Sequence, residues 1–404
     1  MVDSSDQAGG GLGVFLRPIF ETDIPWMFSV ETDPNIIWRF RLGGMTPQFD
    51  QYKRLVFSNI LDQAIVVDSK DGMKVGFVYA DKYDPINGIA EVSVVSSRES
   101  IGSGLALHGM LLFIDRLFKQ FHLRKLIGES LEFNVHKFAN KDGLEDFSTL
   151  VKFESRYPDY YYLSGRYWDR YQVAIFREDW EDQYERILAS ARRRLMRLAS
   201  GEKVPGVTVD ATDPTIYLDS QHFRLRAVQP ADDPWCSNLV QSAASSGSLR
   251  YPDFRLSPRY IQRQLWEGVV CQFIARDRFN DISLALVTLF NIGSANLIGW
   301  LHALIEPEFV GLPVSYEPLL LFVSYVFSCW PLRKLCLCYV ADAPELKAWK
   351  DAFKVDGSTL WRRVSSQQEQ ANYMGRFVNL ETWILDRDEW SAKVLPYRQG
   401  AYRS

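Results

Sequence analysis

In the first half of the chain, stretches with a two-residue apolar period lie before and after one long stretch with a helical period. The helical stretch, from Leu105 to Phe121, carries an apolar stripe and predicts a helix with one buried face. The order of the elements predicts a mixed α/β domain of the α+β type, with helices flanking a twisted sheet. The predicted strands are Val14 to Ile19, Ala64 to Asp68, Lys74 to Ala80, Ile89 to Ser96, Lys125 to Glu132 and two between Tyr157 and Arg177.

The second half repeats the first. LRPIFETDIPW from Leu16 aligns with LRAVQPADDPW from Leu225, an offset of 209, and LRKL at Leu123 recurs at the same offset. GRYWDRYQVAIFREDW from Gly165 aligns with GRFVNLETWILDRDEW at an offset of 210. Three anchors at one period predict a duplicated domain.

The repeat sets the predicted domain boundaries. We expect two tandem domains, residues 15–182 and 219–392, each with its own mixed sheet. Helical spacing of apolar residues after the first copy, followed by SGEKVPG, predicts a linker helix and loop over 183–218. The polar ends of the chain, 1–14 and 393–404, are predicted to be flexible tails.

Composition narrows the class of protein. The chain has 404 residues, is 47% hydrophobic and 24% charged, and carries a formal net charge of −4, which argues against a nucleic-acid binder. Its longest apolar run, Leu319 to Trp330, is shorter than the roughly 20 residues that span a bilayer, so it predicts a buried helix. Without a signal-peptide pattern or metal-ligand spacing, we expect a cytoplasmic protein with no metal and no membrane association.

A glycine-bearing turn is the main candidate for chemistry. Gly102 and Gly104 separate the strand Ile89 to Ser96 from the helix that begins at Leu105. Such a turn presents unpaired backbone N–H groups at the positive end of a helix dipole, and glycine allows a phosphate to approach closely. Neither a third Rossmann glycine nor a GK[ST] sequence follows. The pattern predicts an anion site, with a tight structural corner as the alternative.

The motifs resemble the GNAT N-acyltransferases, particularly the branch that acetylates ribosomal-protein N-termini and polyamines. The family's Q/R-x-x-G-x-G/A segment corresponds to Glu99-Ser-Ile-Gly102-Ser-Gly104. FLRPIFETDI is similar to its first strand, and YYYLSGRYWDRYQVAIFREDW to its paired last strands. The resemblance covers nearly all of 15–180, and weaker versions cover 220–392.

This resemblance implies acetyl-CoA or a longer acyl-CoA as co-substrate, with an acyl carrier protein as the alternative donor. The acceptor it implies is an amine on a small molecule or a peptide. The pantetheine arm would follow the strand Ile89 to Ser96, and the amides of Val94 and Val95 would stabilise the oxyanion. The diphosphate would contact the turn and its neighbours, Arg98, Ser100, Ile101, Gly102, Ser103, Gly104 and Leu105. Glu99 stands where the family has Gln or Arg, and a carboxylate there is unfavourable beside a diphosphate unless it points away or Arg98 screens it.

Acyl transfer to an amine requires a proton acceptor and a proton donor. Glu91, on the strand assigned to the pantetheine arm, is the candidate base; the alternative is a structural carboxylate. In the family an Asn follows the next strand, a position for which Asn134 and Asn140 compete, and His136 is a candidate substitute for the acid. No single acid is assigned.

At the same offset, the second copy has lost these features. Gly104 maps onto Pro313, which has no amide hydrogen, and Glu91 maps onto Trp300. We expect a degenerate second copy and a cytoplasmic N-acyltransferase whose first domain is active. Two other functions stay open: a non-catalytic scaffold with the double fold, and an aminoacyl-tRNA-dependent transferase with paired GNAT-like domains. The latter predicts a basic groove and no phosphate turn.

Overall fold

A computed structural model gives the structure of the chain. It describes residues 13–33, 41–134, 150–199, 218–242, 258–293, 295–373 and 376–394. The chain divides into two compact units, one comprising residues 1–31 and 52–214 and the other residues 32–51 and 215–404. Most of the predicted tails and the loop of the predicted linker lie outside the described residues.

The first unit contains seven strands and three helices among its described residues. Its helices are α1 (Ile24–Glu31), α3 (Leu105–Gln120) and α4 (Arg177–Ala199), while α2 (Phe49–Val56) begins in the second unit's segment. Its strands are β1 (Val14–Arg17), β2 (Ile60–Asp68), β3 (Lys74–Asp84), β4 (Ile89–Ser96), β5 (Lys125–Leu131), β6 (Lys152–Leu163) and β7 (Arg166–Phe176).

The strands form one mixed sheet in the order β1-β2-β3-β4-β5-β7-β6. All neighbours are antiparallel except β4 and β5, which are parallel and pair only from Ile89–Lys125 to Glu91–Ile127. β4 continues to Ser96 and β5 to Leu131, but the two strands no longer pair with each other beyond Glu91 and Ile127, so a gap opens between them. The predicted mixed α/β class is confirmed.

The core of the first unit lies on the face of the sheet that α3 covers. The stripe predicted from the helical period, including Leu111, Ile114 and Leu117, packs against Val92 of β4 and Leu126 of β5. The helix predicted as a linker is α4, which adds Ile187, Leu188 and Ala191 to this core. Because side chains alternate along a strand, Glu91 lies on the opposite face of the sheet.

The second unit contains nine strands among its described residues. Its helices are α5 (Asp233–Gln241), α6 (Pro258–Trp266), α7 (Tyr316–Cys329), α8 (Pro344–Ala352) and α9 (Arg387–Lys393). Its strands are β8 (Phe223–Ala227), β9 (Val269–Asp277), β10 (Ser283–Gly293), β11 (Ile298–Ile305), β12 (Lys334–Val340), β13 (Lys354–Val355), β14 (Ser358–Thr359), β15 (Arg362–Tyr373) and β16 (Arg376–Asp386). The buried helix predicted for the longest apolar run is α7, from which only Trp330 is excluded.

Seven of these strands form a sheet in the order β8-β9-β10-β11-β12-β16-β15, which repeats the order of the first unit. The register repeats as well. The parallel pairs of β11 and β12 run from Ile298–Lys334 to Trp300–Cys336, each residue lying 209 positions after its counterpart in β4 and β5. Two tandem domains of one architecture follow from this match.

The residues shared by the first anchor form the same contact in both units. Arg17 donates two hydrogen bonds to Asp23, at 2.7 and 2.8 Å, and Arg226 donates two to Asp232 at the same distances. Each aspartate also accepts the amide hydrogen of the residue three positions before it. The repeated letters therefore mark a bidentate ion pair that fixes the turn after the first strand.

The later arginine that both copies of the third anchor share caps the central helix in each unit. Arg177 donates to the carbonyl oxygens of Phe118, Phe121 and Leu123, where α3 ends, and Arg387 donates to the three corresponding carbonyls where α7 ends. The last four carbonyls of a helix have no hydrogen-bond partner within it. In each unit, one guanidinium supplies donors to carbonyl oxygens at and just after the end of the helix.

Residues 32–51 group with the second unit, although the predicted boundaries assign them to the first copy. The hydroxyl of Thr46 accepts the amide hydrogen of Gln272 at 2.7 Å, and the Thr46 amide donates to the carbonyl of Val270. Tyr325 of α7, fully buried, donates its hydroxyl hydrogen to the carbonyl of Gly44 at 2.7 Å. These bonds to β9 and α7 account for the grouping.

Among the described helices, none is both long and apolar enough to cross a bilayer.

Candidate functional site

The gap between β4 and β5 in the first unit exposes part of the β4 backbone. The amide of Ser97 donates to the carbonyl of Val75 on the β3 side. Because backbone groups alternate along a strand, the amide of Val95 faces β3 and that of Val94 faces β5. β5 has already diverged at that level. Of the two amides predicted to stabilise an oxyanion, that of Val94 therefore points into the gap.

The glycine turn directly follows β4. Both glycines have positive φ, 86° at Gly102 and 78° at Gly104, a conformation that other residues rarely adopt. Gly104 is the N-cap of α3, and no side chain caps the helix there. The amides of Gly102, Gly104, Ala106 and Leu107, in the turn and the first helical turn, have no hydrogen-bond partner among the residues that the structure describes. Four N–H donors are thus available at the positive end of a 16-residue helix.

The other predicted residues of the turn have structural bonds. The amides of Ser100, Ile101 and Ser103 donate to carbonyls within the turn, and that of Leu105 donates to the Ser103 hydroxyl at 3.2 Å. The Ser100 side chain is buried and donates to the carbonyl of Val75. These bonds hold the turn in shape and leave the glycine amides as its donors.

The charged residues of the turn, Arg98 and Glu99, are both exposed to solvent. Water screens a carboxylate at such a position, so Glu99 opposes an anion in the turn only weakly. Arg98 is an exposed cation beside the turn, and its contact with a diphosphate stays a prediction.

Glu91 lies on the face of the sheet away from α3 and is partly buried. Lys82 Nζ contacts its carboxylate at 2.7 Å. Burial raises the pKa of the Glu91 carboxyl above its ordinary value, the hydrogen bond from Lys82 opposes this rise, and repulsion from Glu129 adds to it. A carboxyl with a raised pKa binds a proton more readily, which suits a general base.

Sequence reasoning missed a group of side chains on the same face. Glu129 of β5 forms an ion pair with Arg170 at 3.1 Å, and the Arg170 guanidinium lies over the rings of Tyr157 and Tyr160, 4.5 and 3.8 Å from their centroids. Strand alternation would have assigned Glu129 to the face of Glu91. Lys82 had no such signal, because it adopts a positive φ of 48° in an irregular part of β3.

The candidate acid is only partly described. Asn134 is partly buried and lies in a helical stretch that directly follows β5. His136 and Asn140 lie outside the described residues. No proton donor is therefore assigned by geometry.

The second unit differs at the gap amide and at the residue that corresponds to Gly104. The Tyr339 hydroxyl accepts the amide hydrogen of Ala303 at 2.9 Å, and Ala303 is the counterpart of Val94. Trp349 donates to the same hydroxyl at 3.2 Å, and the ring of His302 stacks on Tyr339 with centroids 5.6 Å apart. Tyr339 and Trp349 are fully buried, so protein groups fill this gap.

The turn of the second unit also has another shape. A short 3-10 helix, Pro313–Ser315, occupies the level of Gly104, and α7 begins only at Tyr316. Gly311, the counterpart of Gly102, keeps a positive φ of 81°. Pro313 contributes no amide hydrogen at this level.

No family model matches the sequence, and no curated protein matches it significantly. Among solved structures, the spermidine N-acetyltransferase of Vibrio cholerae in complex with CoA and spermine is 15% identical, with 42% of this chain and 99% of that chain covered and a TM-score of 0.36. RimL, a ribosomal L7/L12 alpha-N-protein acetyltransferase in complex with coenzyme A, is 12% identical, with 43% and 98% covered and a TM-score of 0.36. Such values assign no activity, so the chemistry is inferred from the chain's own residues.

Proposed function

We propose that the chain is an N-acyltransferase that moves an acyl group from acyl-CoA to a primary amine, and that the first unit carries the activity. One arrangement supports this most directly: a strand with an amide facing an open gap runs straight into a turn with four unpaired N–H groups. The Val94 amide suits a thioester oxygen, and the Gly102, Gly104 and helix amides suit a diphosphate.

In the proposed reaction, the amine nitrogen attacks the thioester carbonyl carbon. The bond from carbon to sulfur breaks, the amide product forms, and CoA leaves as a thiolate. The proton lost by the amine goes to the Glu91 carboxylate, because burial raises the pKa of this group and so favours its protonation. The Val94 amide stabilises the negative charge on the carbonyl oxygen during attack. Asn134 and His136, which follow β5, are our candidates for positioning or supplying the proton for the thiolate.

We propose that the second unit is a degenerate copy. Its gap holds Tyr339, and its turn has Pro313 in place of Gly104. The Lys82–Glu91 ion pair is replaced as a pair, by Asn291 and Trp300 at the same offset. The amide that would stabilise the oxyanion is occupied, and the turn donor and the base are absent at the equivalent positions. Together these changes support a structural role for this unit.

The test is calorimetric titration of the full chain with acetyl-CoA and longer acyl-CoAs. We expect one site per chain. Gly104→Pro, which copies the second unit, should weaken binding at least about 30-fold, since one charge-assisted hydrogen bond contributes about 2 kcal/mol. Gly165→Ala is the matched control for backbone strain: Gly165 has φ 83° in the β6–β7 turn and no atom near its Cβ position, so this variant should bind like the wild type.

A non-catalytic scaffold is the second candidate, because the 2.7 Å contact with Lys82 gives Glu91 a structural role by itself. It predicts that the wild type transfers no acyl group from any acyl-CoA or acyl carrier protein donor. Binding without turnover of any amine would also favour the scaffold.

A further inference from the structure

At one equivalent strand position beside the gap, the two units have side chains of very different size. The counterpart of Tyr339 at the 209-residue offset is Ser130 of β5. Both positions are the sixth residue of the strand that diverges, since β5 begins at Lys125 and β12 at Lys334. Ser130 is partly buried, and among the described residues its hydroxyl contacts only the neighbouring carbonyl of Leu131, at 3.5 Å.

Tyr339 behaves as an internal occupant of its gap. Its hydroxyl lies 2.9 Å from the amide nitrogen and 3.2 Å from the carbonyl oxygen of Ala303, so it bonds both backbone groups of that residue. A phenol oxygen at that amide has the position that a thioester carbonyl oxygen would need at Val94. Trp349 and His302 hold the ring in place. The same sheet therefore accommodates a side chain where the first unit leaves space.

We infer that the residue at this strand position is the gate for the acyl thioester: Ser130 keeps the first gap open, and Tyr339 closes the second by taking over the backbone amide. This inference rests on the proposed function, and it identifies Ser130 as a residue that decides thioester access. Ser130 takes part in no proton transfer; its contribution is its small volume.

The experiment is a graded series at one position in the full chain, Ser130→Thr, Ser130→Leu and Ser130→Tyr, titrated calorimetrically with acetyl-CoA. The Kd for acetyl-CoA should rise with side-chain size. Ser130→Tyr should raise it more than about 100-fold, because the tyrosine would fill the gap and bond the Val94 amide. Ser155→Tyr, the same change in edge strand β6, is the control and should leave the Kd unchanged. Circular dichroism verifies the fold of each variant, and Ser130→Thr and Ser130→Leu decide the question if the tyrosine variant does not fold.

The second unit provides a readout that needs no ligand. Tyr339→Phe leaves the Ala303 amide and the Trp349 indole without their partner, so the midpoint of thermal unfolding should fall by about 4 °C. An unchanged midpoint, or an unchanged Kd for the folded Ser130 variants, would overturn the gate. If the wild type binds no acyl-CoA, the proposed function fails, whereas a fall in the midpoint of Tyr339→Phe still supports the closed state of the second gap.

Discussion

The gaps in the two sheets have the same backbone pairing but are lined by different side chains. In both units the parallel strands pair for three residues and then diverge, and the residue numbers of the pairs differ by 209 throughout. In the first unit, an amide faces the open gap beside a partly buried carboxylate. In the second, a buried tyrosine takes the amide and a tryptophan replaces the carboxylate. A fold can thus be preserved while the chemistry it allows is removed at a few positions.

Removal of the base should have the largest effect. Glu91→Gln keeps the size of the side chain but accepts no proton, so we expect kcat to fall about 1000-fold if Glu91 is the general base. The measurement is the release of CoA thiol from acetyl-CoA with a panel of small-molecule and peptide primary amines. The wild-type rate should decline as the pH falls through the raised pKa of Glu91, because the protonated carboxyl is inactive. A Gln variant with wild-type kcat would reduce Glu91 to a structural role.

The arginine caps test whether the two copies share their stabilisation. Arg177→Met and Arg387→Met keep the apolar stem and remove the donors to three carbonyls each. We expect each variant to lose about 3 kcal/mol of unfolding free energy, measured by urea denaturation. Equal losses support equivalent caps. A loss in only one variant would break the equivalence at this point.

A smaller effect is expected at Glu345, which occupies in the second copy the position of His136 in the first. Glu345 is 1% exposed, and within the described part of the chain neither of its carboxylate oxygens has a hydrogen-bond partner outside the residue itself. Burial raises its pKa to about 8. Its contribution to stability is therefore complete below the unfolded pKa, near 4.5, and is lost as the pH rises through about 8.

Glu345→Gln removes this pH dependence. We expect the variant to be more stable than the wild type at pH 8 and equal to it at pH 4. Urea denaturation at the two pH values measures the difference. A constant difference between pH 4 and pH 8 would mean that Glu345 ionises normally in the folded chain.

Much of the fold could be predicted because local patterns determine it. Strand β4 and helix α3 agree with the predicted bounds within one residue, since an alternating strand bounded by a glycine turn and a long helical stripe each have one consistent interpretation. The repeated letters also had structural reasons, as the Arg17–Asp23 pair and the Arg177 cap show. β2 begins earlier than predicted, at Ile60, because it pairs with β3 up to Asp81.

The site was less accessible to sequence reasoning, because it depends on what the sheet leaves unpaired. No local pattern distinguishes the Val94 amide, which faces the gap, from that of Val95, which faces β3. The role of Tyr339 emerges only when the partner of the Ala303 amide is known. The contact of Lys82 with Glu91 arises from a positive φ that no pattern indicated.

The assignment of residues 32–51 has a practical consequence for dissecting this chain. A fragment cut at the repeat boundary would deprive the Gln272 amide and the Tyr325 hydroxyl of their acceptors, the Thr46 hydroxyl and the Gly44 carbonyl. The duplication visible in the sequence is therefore not a seam along which the polypeptide divides into self-sufficient halves.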